Sequence, residues 1–584
     1  SDRWVVLKGL LNAGDTDAMA VAVAERRFLA EVDHPNIVKI HNFVRHPDEL
    51  GNLVGYIVME YVGGSSLHQL RTDQPGDRPL PVARTIAYAL DSLTALGYLH
   101  SRGLVFCDFK PDNVIQYDRQ LKLIDLGAVI RADDQRSPVY GTVGYQAPEV
   151  GTRGPSPASD IHTVGRFLAV LALDLPPTRH GQPTPLPTEH PTLARYESFH
   201  RLLLRATDPD PLRRFDSAEE MAEQLEGVLR EVLATDDGRA RPGTSTRFGP
   251  CRGSFAASLL IGANPFGETL GEPAAPDPAR VAAALPVPLI DLTDPGAGLL
   301  ASLDTGERDA VLRTMAAART QLPELSLELR LRVVRAHLEA GDPEPAEAAL
   351  DELVAEQLGD WRLDWYRGLT QLVRAGAGGA AGHLAASAAA FELVYSTLPG
   401  EPAPKLALAA VAECAGRDIE ALGYYALVAG PDPTLADATF GRARVAVRGG
   451  DRAGALAALD AVPATASHHV GAQLAAITVT LGGPAEQDRE RALRAAAARV
   501  RCLQLEPATE QRVHAVLLTA ALELGPPSTE TPGSVGLLGY RWVDRDLRLG
   551  LERCLRGCAR HSPDRAERIA LVDRANQIRP RTWT

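Results

Sequence analysis

Residues 104–115 read LVFCDFKPDNVI, and residues 123–128 read LIDLGA. The first stretch spaces Asp108, Lys110 and Asn113 as D-x-K-x-x-N; the second sets Asp125 before Leu-Gly, twelve residues after Asn113. Transfer of a phosphoryl group asks for little covalent chemistry from a protein. It asks for clamped phosphates, a held Mg²⁺ and a hydroxyl positioned in line. These four side chains match that demand. Asp108 is the group that would accept or orient the acceptor hydroxyl, and Lys110 would neutralise the γ-phosphate. Asn113 would bind one Mg²⁺ and Asp125 both.

Upstream, VVLKG places Lys8 on an expected strand, where it could pair with the α- and β-phosphates. A lone strand lysine is ordinarily an edge residue. Here the expected helix in AVAVAERRFLAEVDHPNIVKI supplies Glu25 as its acidic partner, nine residues before His34-Pro35, which makes the pair more specific. Downstream come GTVGYQAPE (141–149), Asp160 in SDIHTVG and Arg214 in PLRRF.

From Lys8 to about residue 235 the chain resembles the eukaryotic-type protein kinases. The resemblance implies ATP and Mg as cofactors, Met59 as the gatekeeper, and Glu60 and Val62 as hinge residues offering backbone groups to adenine. It makes Val6 and Ile115 the residues that sandwich the adenine ring, and it pairs Arg214 with Glu149 at the end of the activation segment. Lys110 and the Gly-Thr at 141–142 follow the serine/threonine pattern. Small-molecule phosphotransferases share the Asp…Asn…Asp set but normally lack the APE segment, so the expected acceptor is a protein hydroxyl. A sharper resemblance, to the protein kinase G family of mycobacteria and relatives, is carried by AERRFLAEVDHPNIVKIHNF, VGYIVMEYVGGSSL, TVGRFLAVLALDLP and DPDPLRRF, and past them by REVLATDDGRARPG, VPLIDLTD, DWRLDWYRG and LVDRANQIRP. That family joins a rubredoxin-like metal module, a kinase and tetratricopeptide repeats. The resemblance implies phosphorylation of a small forkhead-associated-domain protein, controlling glutamate and 2-oxoglutarate metabolism.

Two departures stand out. Cys107 precedes Asp108 where many kinases carry an arginine that grips an activation-loop phosphate, so a phosphate at Ser137, Tyr140 or Thr142 has no obvious receiver there. The kinase G family shares this trait. A thiol in that place could be redox-sensitive or merely space-filling. The glycine-rich loop and the paired cysteines of a rubredoxin-like module are not in the sequence given. Because the sequence starts with Ser, the expectation is a chain cut at its N-terminus. The alternative is a catalytically inactive kinase-shaped scaffold that binds proteins through its repeats.

At 584 residues the chain is too long for one core. The expected order is a kinase domain over 1–235 (α+β, bilobal, without the first strands), a linker with small elements over 236–300, tetratricopeptide-like repeats over 301–480 and a C-terminal helical region over 481–584. The repeats are read from Gly382, Gly416 and Gly450, which step by 34 in similar alanine-rich contexts, with an earlier copy at Gly341. Such a solenoid would dock a partner or dimerise. The net charge of −13 argues against nucleic acid or an anionic membrane as partner. No apolar run is long enough for a transmembrane segment. The six scattered cysteines fit a reducing, cytoplasmic setting, and Cys554 and Cys558 read as plain core or surface residues.

Overall fold

The computed structural model describes residues 4–9, 29, 31–47, 53–74, 79–118, 120–134, 141–255, 273–301, 308–319, 325–356, 359–482, 488–525 and 536–580. The helix expected around Glu25, and Ser137 and Tyr140, lie outside the described residues.

Two units emerge. The first comprises 1–243 with 395–401, the second 244–394 with 402–584. In the first, β1 (Val5–Gly9), β2 (Ile40–Pro47) and β3 (Leu53–Glu60) form an antiparallel sheet in the order β1-β3-β2. The register sets Lys8 opposite Ile57, and Val6 and Ile40 opposite Met59 on either side. Beyond the sheet, short strands β4 (Ser65–Ser66), β5 (Leu104–Val105), β6 (Val114–Tyr117), β7 (Gln120–Leu123) and β8 (Ile130–Arg131) pair as β4-β6-β7 and β5-β8.

The helices of this unit follow from their patterns. Val82–Ser101 buries Thr85, Ile86, Ala89, Leu93, Leu96 and Leu99, an i, i+3/i+4 stripe. Pro157–Ala172 starts at a proline, with Ser156 and Ser159 closing a reciprocal cap, and is buried from Ser159 to its end. Both pack in one core that includes Phe106, Phe109, Phe167 and Phe199.

The second unit is helical. Among its pairs are Leu327–Glu339 with Pro343–Glu356, Pro402–Cys414 with Asp418–Ala429, and Ala436–Arg448 with Arg452–Asp460. Gly341, Gly416 and Gly450 turn between the helices of each pair, with φ of +78°, +71° and +80°. In all three, the amide of the residue after the glycine reaches back five residues: Asp342 to His337 O, Arg417 to Ala412 O and Asp451 to Ala446 O. This is the left-handed helix stop that glycine adopts without a Cβ penalty. Gly382 does not occupy that turn. It lies inside helix Ala380–Thr397, and Gly379, at φ +65°, makes the turn instead. The 34-residue step therefore holds from Gly416 to Gly450 but not from Gly382. Helix Trp361–Ala377 is longer than the first helix of the other pairs, which shifts its turn. Trp365 is fully buried, with ring centres 4.7 Å from Phe248 and 5.0 Å from Phe391. Cys554 and Cys558 are buried in the C-terminal helices, where burial pushes both thiols up. No helix among the described residues is long and apolar enough to cross a membrane.

Candidate active site

The two opening stretches meet through one hairpin. Asn113 ends the turn Pro111–Asn113, β6 and β7 pair so that Val114 faces Leu123, and the Ile124 amide donates to Asn113 O at 3.0 Å. Asn113 and Asp125 are thereby held on adjacent backbone. From Asn113 the side-chain amide reaches back to Asp108, donating to its carbonyl at 2.8 Å and to Oδ2 at 3.1 Å. Lys110 Nζ donates to the same Oδ2 at 2.8 Å.

Asp108 is presented by a strained turn. Cys107 sits at φ +68°, a left-handed conformation that costs a residue with a Cβ about 1 kcal/mol or more. Asp160, from helix Pro157–Ala172, holds the turn: its carboxylate accepts from the Phe106 and Cys107 amides at 2.8 and 2.9 Å and pairs with His100 Nε2 at 2.9 Å. Cys107 is 7% exposed. Burial, reinforced by the negative charges of Asp160 and Asp108, pushes its thiol far above the ordinary range, and Sγ faces Val105 O at 3.6 Å. Reactive cysteines are low in pKa and accessible; this one is neither, so the geometry favours the space-filling role over redox sensing.

Thr142 joins this cluster from the activation segment. Its hydroxyl donates to Asp108 Oδ1 at 2.6 Å and accepts from Lys110 Nζ at 2.6 Å. The Gly-Thr pair ahead of the APE was the available signal, although spacing alone does not show which side chain it reaches. The segment's far end is fixed by Glu149 and Arg214, bonded in two parallel bonds of 2.7 and 2.9 Å. Burial works to raise the Glu149 carboxyl, but Arg214 outweighs it and holds the group below the usual range.

Lys8 is ion-paired with Asp125 Oδ1. Its expected partner, Glu25, lies outside the described residues. Asp125 also accepts from the Gly127 amide at 2.9 Å. Burial tends to raise its pKa, yet the bonds from Lys8 and Gly127 leave it lowered, hence ionised at neutral pH. Met59 is buried opposite Val6 on β3, whereas Val6 is itself on the exposed strand β1. Ile115 on β6 faces Ser66 and Lys122. Glu60 commits its amide to Lys39 O and its carboxylate to Lys122, so its carbonyl is the group that a hinge reading requires. Val62 follows β3, partly buried against the main core.

The donor set suits a Mg²⁺ shared with phosphates. Asn113 uses its amide nitrogen on Asp108, leaving Oδ1 as an oxygen ligand, and Asp125 supplies an ionised carboxylate. Among the described residues no cluster of three or more acidic, histidine or cysteine side chains could hold a metal by protein alone. Mg²⁺ is ordinarily bound through one or two such groups, with substrate phosphates and waters completing it.

The family model described as "Protein kinase domain" matches residues 1–244, and that described as "Protein kinase G tetratricopeptide repeat" matches 242–582. The chain is 46% identical over 591 residues to "Serine/threonine-protein kinase PknG" of Mycolicibacterium smegmatis, covering 99% of this chain and 75% of that protein. It is 45% identical to the protein of the same name from Mycobacterium leprae, with 99% and 76% covered. The chain belongs to the protein kinase G family. By contrast, "Serine/threonine-protein kinase pkn2" of Myxococcus xanthus is 31% identical over 37% of this chain, so that likeness covers the share a kinase domain alone would. The chain is accordingly a serine/threonine protein kinase with a tetratricopeptide region, and its family uses ATP and Mg²⁺ in general.

Proposed function

We propose that this kinase transfers the γ-phosphate of ATP to a protein threonine through Asp108, in an active rather than scaffold-only protein. The observation that carries the reading is the hydroxyl of Thr142, bonded at 2.6 Å both to Asp108 Oδ1 and to Lys110 Nζ. A carboxylate that accepts from a hydroxyl on one oxygen, with a lysine ammonium beside it to meet the phosphoryl charge, is the arrangement an acceptor hydroxyl needs during transfer. Asp108 orients the acceptor and draws off its proton. Lys110 stands where the transferred group carries charge. Asn113 and Asp125 would hold Mg²⁺, which neutralises charge on the phosphates when bound, while Lys8, for which Glu25 would be the acidic partner, would hold the phosphates themselves. Met59, Glu60, Val62, Val6 and Ile115 would frame the adenine side.

The finer reading follows the family. The acceptor is a small forkhead-associated-domain protein whose phosphorylation controls glutamate and 2-oxoglutarate metabolism in the cytoplasm, and the repeats dock that protein or a second copy of the chain. The test is incubation of the full chain with Mg·ATP and such a protein, with the modified position mapped. Phosphate on a threonine supports the reading. Transfer to other proteins but never to this one removes the metabolic assignment and leaves the kinase standing.

A further inference from the structure

Arg166 is a buried cation beside the activation segment. It lies on helix Pro157–Ala172, six residues beyond Asp160, and is 4% exposed. Its Nε donates to Gly144 O at 2.8 Å and its Nη2 to Pro177 O at 3.3 Å. Among the described residues no carboxylate pairs with it. A buried guanidinium answered only by carbonyl dipoles is a costly arrangement, because desolvation of the charge is only partly offset. Its bonds show what it holds.

Gly144 has φ +97°, and a Cβ there would stand 2.5 Å from Pro177 O. The segment is thus pressed against the loop that carries Pro177, and Arg166 joins the two carbonyls. Pro177 O is itself fixed, since it also accepts from the Thr184 amide at 3.1 Å. The next carbonyl, Tyr145 O, is met by His162 Nδ1 at 3.2 Å from the same helix. Two consecutive carbonyls are therefore pinned from the second residue after Thr142, the residue in contact with Asp108 and Lys110. Val143, between Thr142 and the pinned Gly144, is 55% exposed.

We propose that Arg166 is a positioning residue for the protein acceptor. Through Gly144 it fixes the ledge Thr142–Tyr145, along which the acceptor chain must lie for its hydroxyl to reach Asp108. The inference rests on the reading of Asp108 as the group at that hydroxyl. Arg166 bonds none of Lys8, Asn113 or Asp125, so its removal is expected to leave nucleotide handling unchanged. With Cys107 in place of a phosphate-gripping arginine, the ledge is held by a permanent cation from the helix behind it.

The test is steady-state kinetics of the full chain and its Arg166→Met variant. The acceptor is the forkhead-associated-domain protein or, without transfer to it, myelin basic protein. The expected result is a rise of about tenfold in the acceptor KM with the ATP KM changed by less than about twofold, and acceptor-independent ATP hydrolysis retained. Equal changes in both KM values, a fall in kcat alone, or a loss of thermal stability with both KM values intact would overturn the proposal. Should Arg166→Met fail to fold, Gly144→Ala displaces the same carbonyl from the other side by driving a Cβ toward Pro177 O, and the same split is expected; an unchanged acceptor KM in that variant overturns the proposal. No transfer to either acceptor by the unaltered chain overturns the kinase reading and this one together.

Discussion

Glu149 and Arg214 form a deeply buried ion pair in the kinase unit, and breaking it from either side has a calculable consequence. Arg214 is 1% exposed and makes five bonds: two to Glu149, and one each to Asp208 O at 2.7 Å, Ala158 O at 2.9 Å and Pro209 O at 3.4 Å. Removing one partner of a buried pair leaves the other charge uncompensated, at roughly 3–5 kcal/mol. In Glu149→Gln the guanidinium keeps its three carbonyls, so the loss should be about 3 kcal/mol, the low end of that range. Arg214→Met abandons all five bonds and strands a carboxylate, and about 4 kcal/mol is expected. The double variant leaves no orphan charge, and its loss should fall short of the sum by about 2 kcal/mol. Calorimetry of the full chain, read on the transition of the kinase unit, is the assay. For a unit of this size about 3 kcal/mol corresponds to a drop of roughly 6–12 °C in Tm. Strictly additive losses, or a loss under about 1 kcal/mol for Glu149→Gln, would refute the view that the pair acts as one buried unit.

His162 is held neutral: burial first, then the Arg214 charge, pulls its pKa from 6.5 down to about 4. Above pH 6.5 neither folded nor unfolded chain protonates it, and its contribution is nil; below that value the unfolded chain binds a proton that the folded chain refuses. Stability should therefore fall between pH 6.5 and 4, by about 2 kcal/mol at pH 5, and His162→Phe should flatten that part of a Tm-against-pH profile. In the repeat region, Gly450→Ala meets open space but keeps φ at +80°, so it should cost about 1 kcal/mol of backbone strain, seen as a Tm drop of a few degrees in the repeat unit.

Much of the site was legible because phosphoryl transfer needs particular side-chain types at fixed backbone offsets. Asp108, Lys110 and Asn113 lie within one turn, so sequence spacing and spatial contact coincide. Glu149 and Arg214 are 65 residues apart and were still paired, since family motifs carried both. Contacts without a local signature were harder to see. Thr142 reaches Asp108 across the fold, and nothing in Gly-Thr dictates which oxygen it meets. Arg166 sits in an apolar run, TVGRFLAV, where a single cation reads as a surface residue until the helix proves buried on all sides. Gly382 shows the opposite failure: a periodic glycine in a convincing context, displaced from the turn because the preceding helix runs longer. Periodicity counts residues, but turns are set by where each helix can stop.

The role of Asp108 is tested by Mg·ATP-dependent phosphate transfer to protein by the full chain beside its Asp108→Asn variant. The change keeps the shape that Asn113, Lys110 and Thr142 surround but removes the carboxylate, so ATP binding should be retained and turnover should fall about 10²-fold or more. Turnover in the variant equal to that of the unaltered chain would contradict that role.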